Sequence, residues 1–480
     1  MSNRCRLSNH GIRIFDTRCC MLALSSSLGL KGLVSFMGNA DVFCLTDSKG
    51  DLLPPAVQAT VLAKYSRSAS SAREILAELT AEDADKFQEK WVGQYGHNSV
   101  AELANIPVCF EGISIVASKM IESWQRAGYS EKSTRYQVFN RDSFIVPPGS
   151  PATMKDFASR LYSAYESLLP KVTQRVAEIT GEDPEKRTVK ARAFDNVRYL
   201  LPAGTGTNVA AVLNMREVRD MMTSLKGHQN PEFRDLGARL HRASEQLCPA
   251  LLKHTEPDTF QMRIRSAGPV APEFDPSSPA PYVRIDRPHL MPDPELEQAS
   301  FAALLAERYG MSWDTFSKLM DGRPDYSEVP EPFKTVRISF EVMMDYGAFR
   351  DLQRHRRCEQ YVEPLRLDYG YVVPDDIRTD SALEAEYRAA MESVDAYDDE
   401  DVVHDPHLMQ YMIPLGYLHR SVFQMDLREL YYVVELRTKP QGHISYRRIA
   451  YEKYRLANER WPELMKWCRA VNPTSIGEHR

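Results

Sequence analysis

The residues best able to do chemistry sit in one stretch, FRDLQRHRRCEQYVEPLR, residues 349–366. It holds five arginines and a histidine in a chain whose net charge is -6. Arg350, Arg354 and Arg357 recur at i, i+4 and i+7, so on a helix they share one face. Guanidinium groups gathered beside the apolar run FEVMMDYGAF repel one another and need anions. A carboxylate network can serve, with Glu359 and Glu363 near in sequence. So can a bound phosphate, whose oxygens match the guanidinium fork. A second basic run, DLRELYYVVELRTKPQGHISYRR, puts Arg428 and Arg437 on a helix with tyrosines between them. Upstream, GQYGHNSVAEL reads as an exposed loop entering a helix, with Ser99 as N-cap and Glu102 three residues on.

Composition narrows what these charges are for. The chain has 480 residues, 43% hydrophobic and 26% charged, a globular profile long enough for several domains. Its 60 basic and 66 acidic residues argue against a nucleic-acid coat, and no RNA-binding module is evident. No apolar run is long enough for a membrane span. Eight cysteines without a CxxC pair give neither a disulfide framework nor a zinc site, and no metal is expected. A reducing, cytoplasmic compartment fits.

The elements that must position the charges are mostly helical. PPAVQATVLAKYSR, SAREILAELTAEDADKFQEKWV, ATMKDFASRLYSAYESLLPKVTQRVAEI and ELEQASFAALLAERYGMSWDTFSKLM all carry apolar residues at three- and four-residue spacing. Residues 255–298 are proline-rich and read as a linker or extended crossover. The chain also resembles itself. CFEGISIVASKMIESWQRAGYSEKS, from Cys109, falls on SFEVMMDYGAFRDLQRHRRCEQYVE, from Ser339, at an offset of 230. RYLLPAGTGTNVAAVLNMREV, from Arg198, falls on QYMIPLGYLHRSVFQMDLREL, from Gln410, at an offset of 212. Two matches in the same order indicate a duplicated domain.

In order, GHNSVAE, FEGIS, RHR (354–356), EKSTRY (131–136), RYLLP, NMR (214–216) and DLRELYYVVELR resemble the flavin-dependent thymidylate synthases, over most of residues 50–460 and once per copy. The resemblance implies two copies of an α+β domain, helix-rich around a mixed or antiparallel sheet. The expected organisation is a disordered or targeting-like extension at 1–40 (with Met37 an alternative start), a first repeat at 41–262, a linker at 263–298 and a second repeat at 299–480.

The motif residues are divided between the copies. The first keeps Ser99, Glu131, Ser133, Arg135, Tyr136, Arg198, Asn214 and Arg216, but has Trp124–Arg126 at the RHR position and Leu225 at the late arginine. The second keeps Arg350, Arg354, His355, Arg356, Arg366, Arg428 and Arg437, with Pro364 replacing the loop serine and Gln410 opposite Arg198. By match of position, Ser99, Glu131, Asn214, Arg216, Arg354, His355 and Arg356 are expected to contact FAD. Arg135, Arg198, Arg350 and Arg366 are expected to hold dUMP, and Arg437 to ionise uracil N3. The implied reaction methylates dUMP, with methylenetetrahydrofolate and NADPH as co-substrates and no cysteine nucleophile, Cys358 being a bystander. The two half-sets would meet within a chain, or in a homodimer forming a pseudo-tetramer. Alternatives are a flavoenzyme modifying another uridine nucleotide and an inactive nucleotide-binding or regulatory relative.

Overall fold

The computed structural model describes residues 43–66, 68–88, 98–134, 137–266 and 281–473. The extension at 1–40, and with it Gly96, His97, Arg135 and Tyr136, lies outside the described residues. Each half builds an antiparallel sheet in the same order. In the first half it is β1 (Asn105–Ser114), β3 (Gly206–Asn214), β2 (Gly128–Glu131). In the second, β5 (Arg337–Asp345), β7 (Leu418–Asp426) and β6 (Glu359–Val362) repeat it, and β4 (Tyr282–Ile285) adds an edge beside β5. Helices Ile115–Ile121 and Tyr346–Leu352 leave β1 and β5, and Met215–Lys226 and Leu427–Arg437 leave β3 and β7. The protein is therefore two copies of a helix-rich α+β unit.

Two readings of local structure change. Residues 281–298 are not a free linker: β4 pairs with β5, and Pro294–Tyr309 is already helix. The three arginines do not share a helical face either. Their helix ends at Leu352, and the chain must turn at once to lay Glu359 against Gln424 in β6. Gln360 Nε2 reaches back to the Gln353 and His355 carbonyls at 3.1 and 3.0 Å, satisfying the orphaned end of that helix.

The halves are joined through their matching Leu/Ile-Pro segments. Pro202 faces Pro414 in an antiparallel bridge. Ala203 and Gly204 donate their backbone N–H to Ile413 and Tyr411, and Leu415 and Gly416 donate to Leu201 and Tyr199, all at 2.8–3.0 Å. Gly204 and Gly416 occupy equivalent places because two main chains approach closely there: a Cβ on Gly204 would lie 2.9 Å from the Tyr411 carbonyl oxygen. One continuous set of buried apolar side chains runs through both halves.

Flanking this bridge are two related polar triads. Ser114 caps Ile115–Ile121 and gives its N–H and hydroxyl to Glu232 at 2.8 and 2.6 Å, where Tyr411 of the other half also donates. In the mate position Asp345 caps Tyr346–Leu352 and accepts from Ser445, and Tyr199 of the first half joins them. The acid and the hydroxyl have exchanged places between copies.

Gly204→Ala is expected to cost about 1–3 kcal/mol in urea denaturation, through overpacking at the bridge. Gly128→Ala, whose Cβ would meet nothing within 4 Å, should stay within about 0.5 kcal/mol of the parent.

Candidate functional site

Glu131 ends β2 with its side chain 0% exposed, at the heart of the arginine cluster. Its Oε1 accepts from Arg350 at 2.9 Å and from Ser118 at 2.8 Å. Its Oε2 accepts from Lys119 at 3.0 Å and Arg354 at 3.3 Å. Burial alone would raise the carboxyl pKa. Arg350, Lys119 and Arg354 outweigh that and hold it well below the usual carboxylate range. Arg350 also donates to Thr134 Oγ1 at 3.3 Å and is buried, with its Nε lacking a partner. Arg354 is different: its side chain is 43% exposed.

His355 is buried behind this pair. Arg437 Nε donates to its Nε2 at 2.8 Å, so that nitrogen carries no proton and Nδ1–H faces Glu429, 3.6 Å away. Burial, then Arg437 and Lys453, hold the imidazole well below its ordinary pKa, and it is neutral at pH 7. Burial raises Glu429 to about 7. Arg437 also lies over the Tyr446 ring at 5.5 Å and 3.9 Å from Asp351. Arg356 stacks on Tyr129 of the first half at 5.3 Å, and Arg357 lies 3.5 Å from Glu328.

The first half's own charges close on one another. Arg126 bridges Glu217 and Glu102 at 2.8 and 3.0 Å, and Arg216 takes Glu102 at 2.6 Å. Asn214 caps Met215–Lys226 through its contact with the Glu217 N–H, and Leu225 is fully buried. Ser99 lies inside the short helix Asn98–Ala101, exposed, rather than capping it. Arg198 is buried 3.7 Å from Asp195, whereas Arg366 is exposed and forks onto Asp368 at 2.9 and 2.6 Å.

The structure thus brings Glu131 together with Arg350 and Arg354, sets His355 against Arg437, and places Arg356 beside the Tyr129–Glu217 region. It keeps Arg216 and Asn214 within the first half's network, and Arg366 in its own loop. Lys119, Glu429 and Tyr129 were missed from sequence. The structure pairs helices Ile115–Ile121 and Tyr346–Leu352 at an offset of 231, which makes Lys119 the counterpart of Arg350; the sequence offset of 230 set it against Phe349 and hid it. Glu429 sits three residues after the capping Asp426 and reads there as part of a cap.

A duplicated α+β fold with a cationic seam and two half-sets of charges defines the class, and the thiol beside that seam, Cys358, is buried, which raises it to about 11. The chain belongs to the Thy1 family, thymidylate synthase complementing protein, which matches residues 54–250 and again 302–463. A UPF0159 protein of Chlamydia pneumoniae is 26% identical over 476 residues, covering 86% of this chain and 88% of its own length. A flavin-dependent thymidylate synthase of Clostridium tetani is 21% identical over 202 residues, 41% of this chain and 80% of that one. A crystal structure of thymidylate synthase X from Helicobacter pylori with FAD and dUMP overlaps with TM-score 0.30 and 18% identity, covering 42% of this chain and 93% of that chain.

Glu131→Gln should leave the buried Arg350 without its carboxylate, while Lys119 keeps Glu122 and Arg354 stays solvated, and cost about 3–5 kcal/mol. Because the folded-state pKa lies below the unfolded one, this stabilisation is complete above about pH 4.5 and drains as pH falls toward the folded value. Acid titration of unfolding should therefore be steeper in the parent than in the variant below that pH.

Proposed function

We propose that this protein is a flavin-dependent thymidylate synthase-like methyltransferase that converts dUMP to dTMP. Methylenetetrahydrofolate would donate the carbon and NADPH the reducing equivalents, in a cytoplasmic setting that suits its free thiols. The single observation carrying this reading is the meeting of the two half-sets at one seam, Glu131 of the first repeat against Arg350 and Arg354 of the second.

The residues fit a dianionic dinucleotide. Arg354 and Arg356 keep exposed guanidinium surface after their contacts with Glu131 and Tyr129, and the buried Arg350 Nε is an unused donor. Arg354, His355 and Arg356, with Ser99, Glu131, Asn214 and Arg216, would hold the flavin. Arg135, Arg198, Arg350 and Arg366 would hold the nucleotide. FAD, when bound, supplies hydride chemistry. Glu131 and Lys119 fix the arginine forks in place. Neutral His355 accepts from Arg437 Nε and so orients that guanidinium, leaving its terminal nitrogens to face uracil N3. There, fixed positive charge in a dry site favours the anionic ring. The assembly would be a homodimer forming a pseudo-tetramer.

A second reading is the same machinery acting on another uridine nucleotide, whose phosphate is the same group that Arg366, here forked onto Asp368, was expected to hold.

Purified protein should be yellow and support growth of a thymidine-requiring bacterial strain. Arg437→Ala should abolish release of the C5 hydrogen of labelled dUMP while keeping bound flavin, and Leu225→Ala should retain the release activity. A colourless protein whose melting temperature ignores added FAD would exclude the flavin reading. Activity on UMP but not dUMP would select the second one.

A further inference from the structure

We propose that the seam carries a second binding site, for a small organic monoanion with a flat apolar body, distinct from the arginine centre. A cavity of about 570 Å³ opens between the first half's helix Arg187–Val197 and the second half's Asp375–Asp376 turn and helix Ile444–Arg460. That is ordinary ligand-site volume. None of Glu131, Arg350, Arg354 and Arg437 lines it.

The cavity breaks the pseudo-symmetry of the halves. In the mate position His407 packs on His228 at 5.3 Å, His228 packs on Phe233 at 4.6 Å, and His407 meets the Gln229 side chain, filling the space with side chains. Here the equivalents of His407 and Gln229 are Asp195, at the offset of 212, and Gly442, at 213 because helices Pro231–Glu245 and Ile444–Arg460 begin that far apart; both are smaller. Gly442 is also held small, because a Cβ there would collide with the Tyr446 ring. Two matching losses of bulk at one of two related places leave room that the fold itself does not require.

The lining sets the ligand's charge. Asp376 forks onto Arg192, Asp375 meets Arg448 at 2.6 Å, Asp195 lies 3.7 Å from Arg198, and Glu452 pairs with Arg455 at 2.5 Å. Arg378, exposed at the rim, has no ion-pair partner among the described residues. Arg192 is 8% exposed, donates Nε and NH2 to Asp376 at 2.8 and 2.6 Å, and its NH1 has no acceptor. The lining itself holds three arginines and four acids, and each acid is already paired, two of them by Arg198 and Arg455 from outside the lining, so the donors left over are the Arg378 guanidinium and the Arg192 NH1, which suit a single carboxylate or phosphate monoester. Val372, Pro374, Ile444 and Tyr199 offer apolar surface to a flat body. Tyr199 and Ser445 also contact Asp345, the cap of the helix bearing Arg350, so an occupant would bear on the arginine centre from behind.

Calorimetry of the full chain with benzoate and with phenyl phosphate tests this and separates the two oxyanions. At least one probe should bind at millimolar concentration or better. Arg378→Glu should weaken it by about tenfold or more, Ile444→Trp should abolish it, and Arg437→Ala should leave it unchanged. Unliganded melting curves matching the parent would confirm that the first two variants fold. The proposal fails if neither probe binds, or if binding survives both cavity variants. Loss in Arg437→Ala alone would also overturn it, assigning the anion to the arginine centre. The flavin reading can stand or fall separately, since no arm uses FAD.

Discussion

A carboxylate taken out of water alone is so costly that it must either gain a proton or gather cations. Glu131 gathers three, one from its own repeat and two from the other. The dependence runs both ways. Arg350 is itself buried and without Glu131 would be an unpaired charge in a low-dielectric interior, whereas the buried Lys119 would keep Glu122. The seam therefore cannot slide or open by small amounts, since every displacement separates charges that have little water to replace the lost partner. Of the three, only Arg354 retains broad access to solvent, which makes it the member of the cluster free to meet a ligand while its base is held.

The same logic extends inward. His355 sits where a positive imidazole would face Arg437 and Lys453, so it stays neutral and serves as acceptor. A neutral ring locked between a guanidinium and Glu429 is a rigid bracket for Arg437. Positive charge is thereby presented from fixed positions rather than from flexible surface chains, the condition under which electrostatics contributes most to a reaction.

Much of this was legible in the sequence. The self-similarity anticipated two units with a shared strand order, and the split of motif residues anticipated that the halves meet through them; the offset of 212 holds, but the first offset is 231 in the structure rather than 230. What was not legible has physical reasons. Four residues, YVRI, among prolines carry too little periodicity to announce β4. The arginine spacing suited a helix, but strand pairing of β6 overrode it. Glu131 as the partner of Arg350 could not be read, because an ion pair spanning 219 residues leaves no local pattern and the nearer Glu359 and Glu363 were the natural candidates. The Ser114–Glu232–Tyr411 and Asp345–Ser445–Tyr199 triads were invisible for the same reason.

Those exchanged triads have a consequence for how such a molecule can change. In a pair of identical subunits any substitution appears twice, so swapping an acid for a hydroxyl at the cap would alter both contacts together and leave two acids or two hydroxyls facing each other. With both repeats on a single polypeptide, each contact is encoded separately and can be rewritten on its own. Joining end to end thus released the two sides from the obligation to match, and Ser114–Glu232 and Asp345–Ser445 now differ.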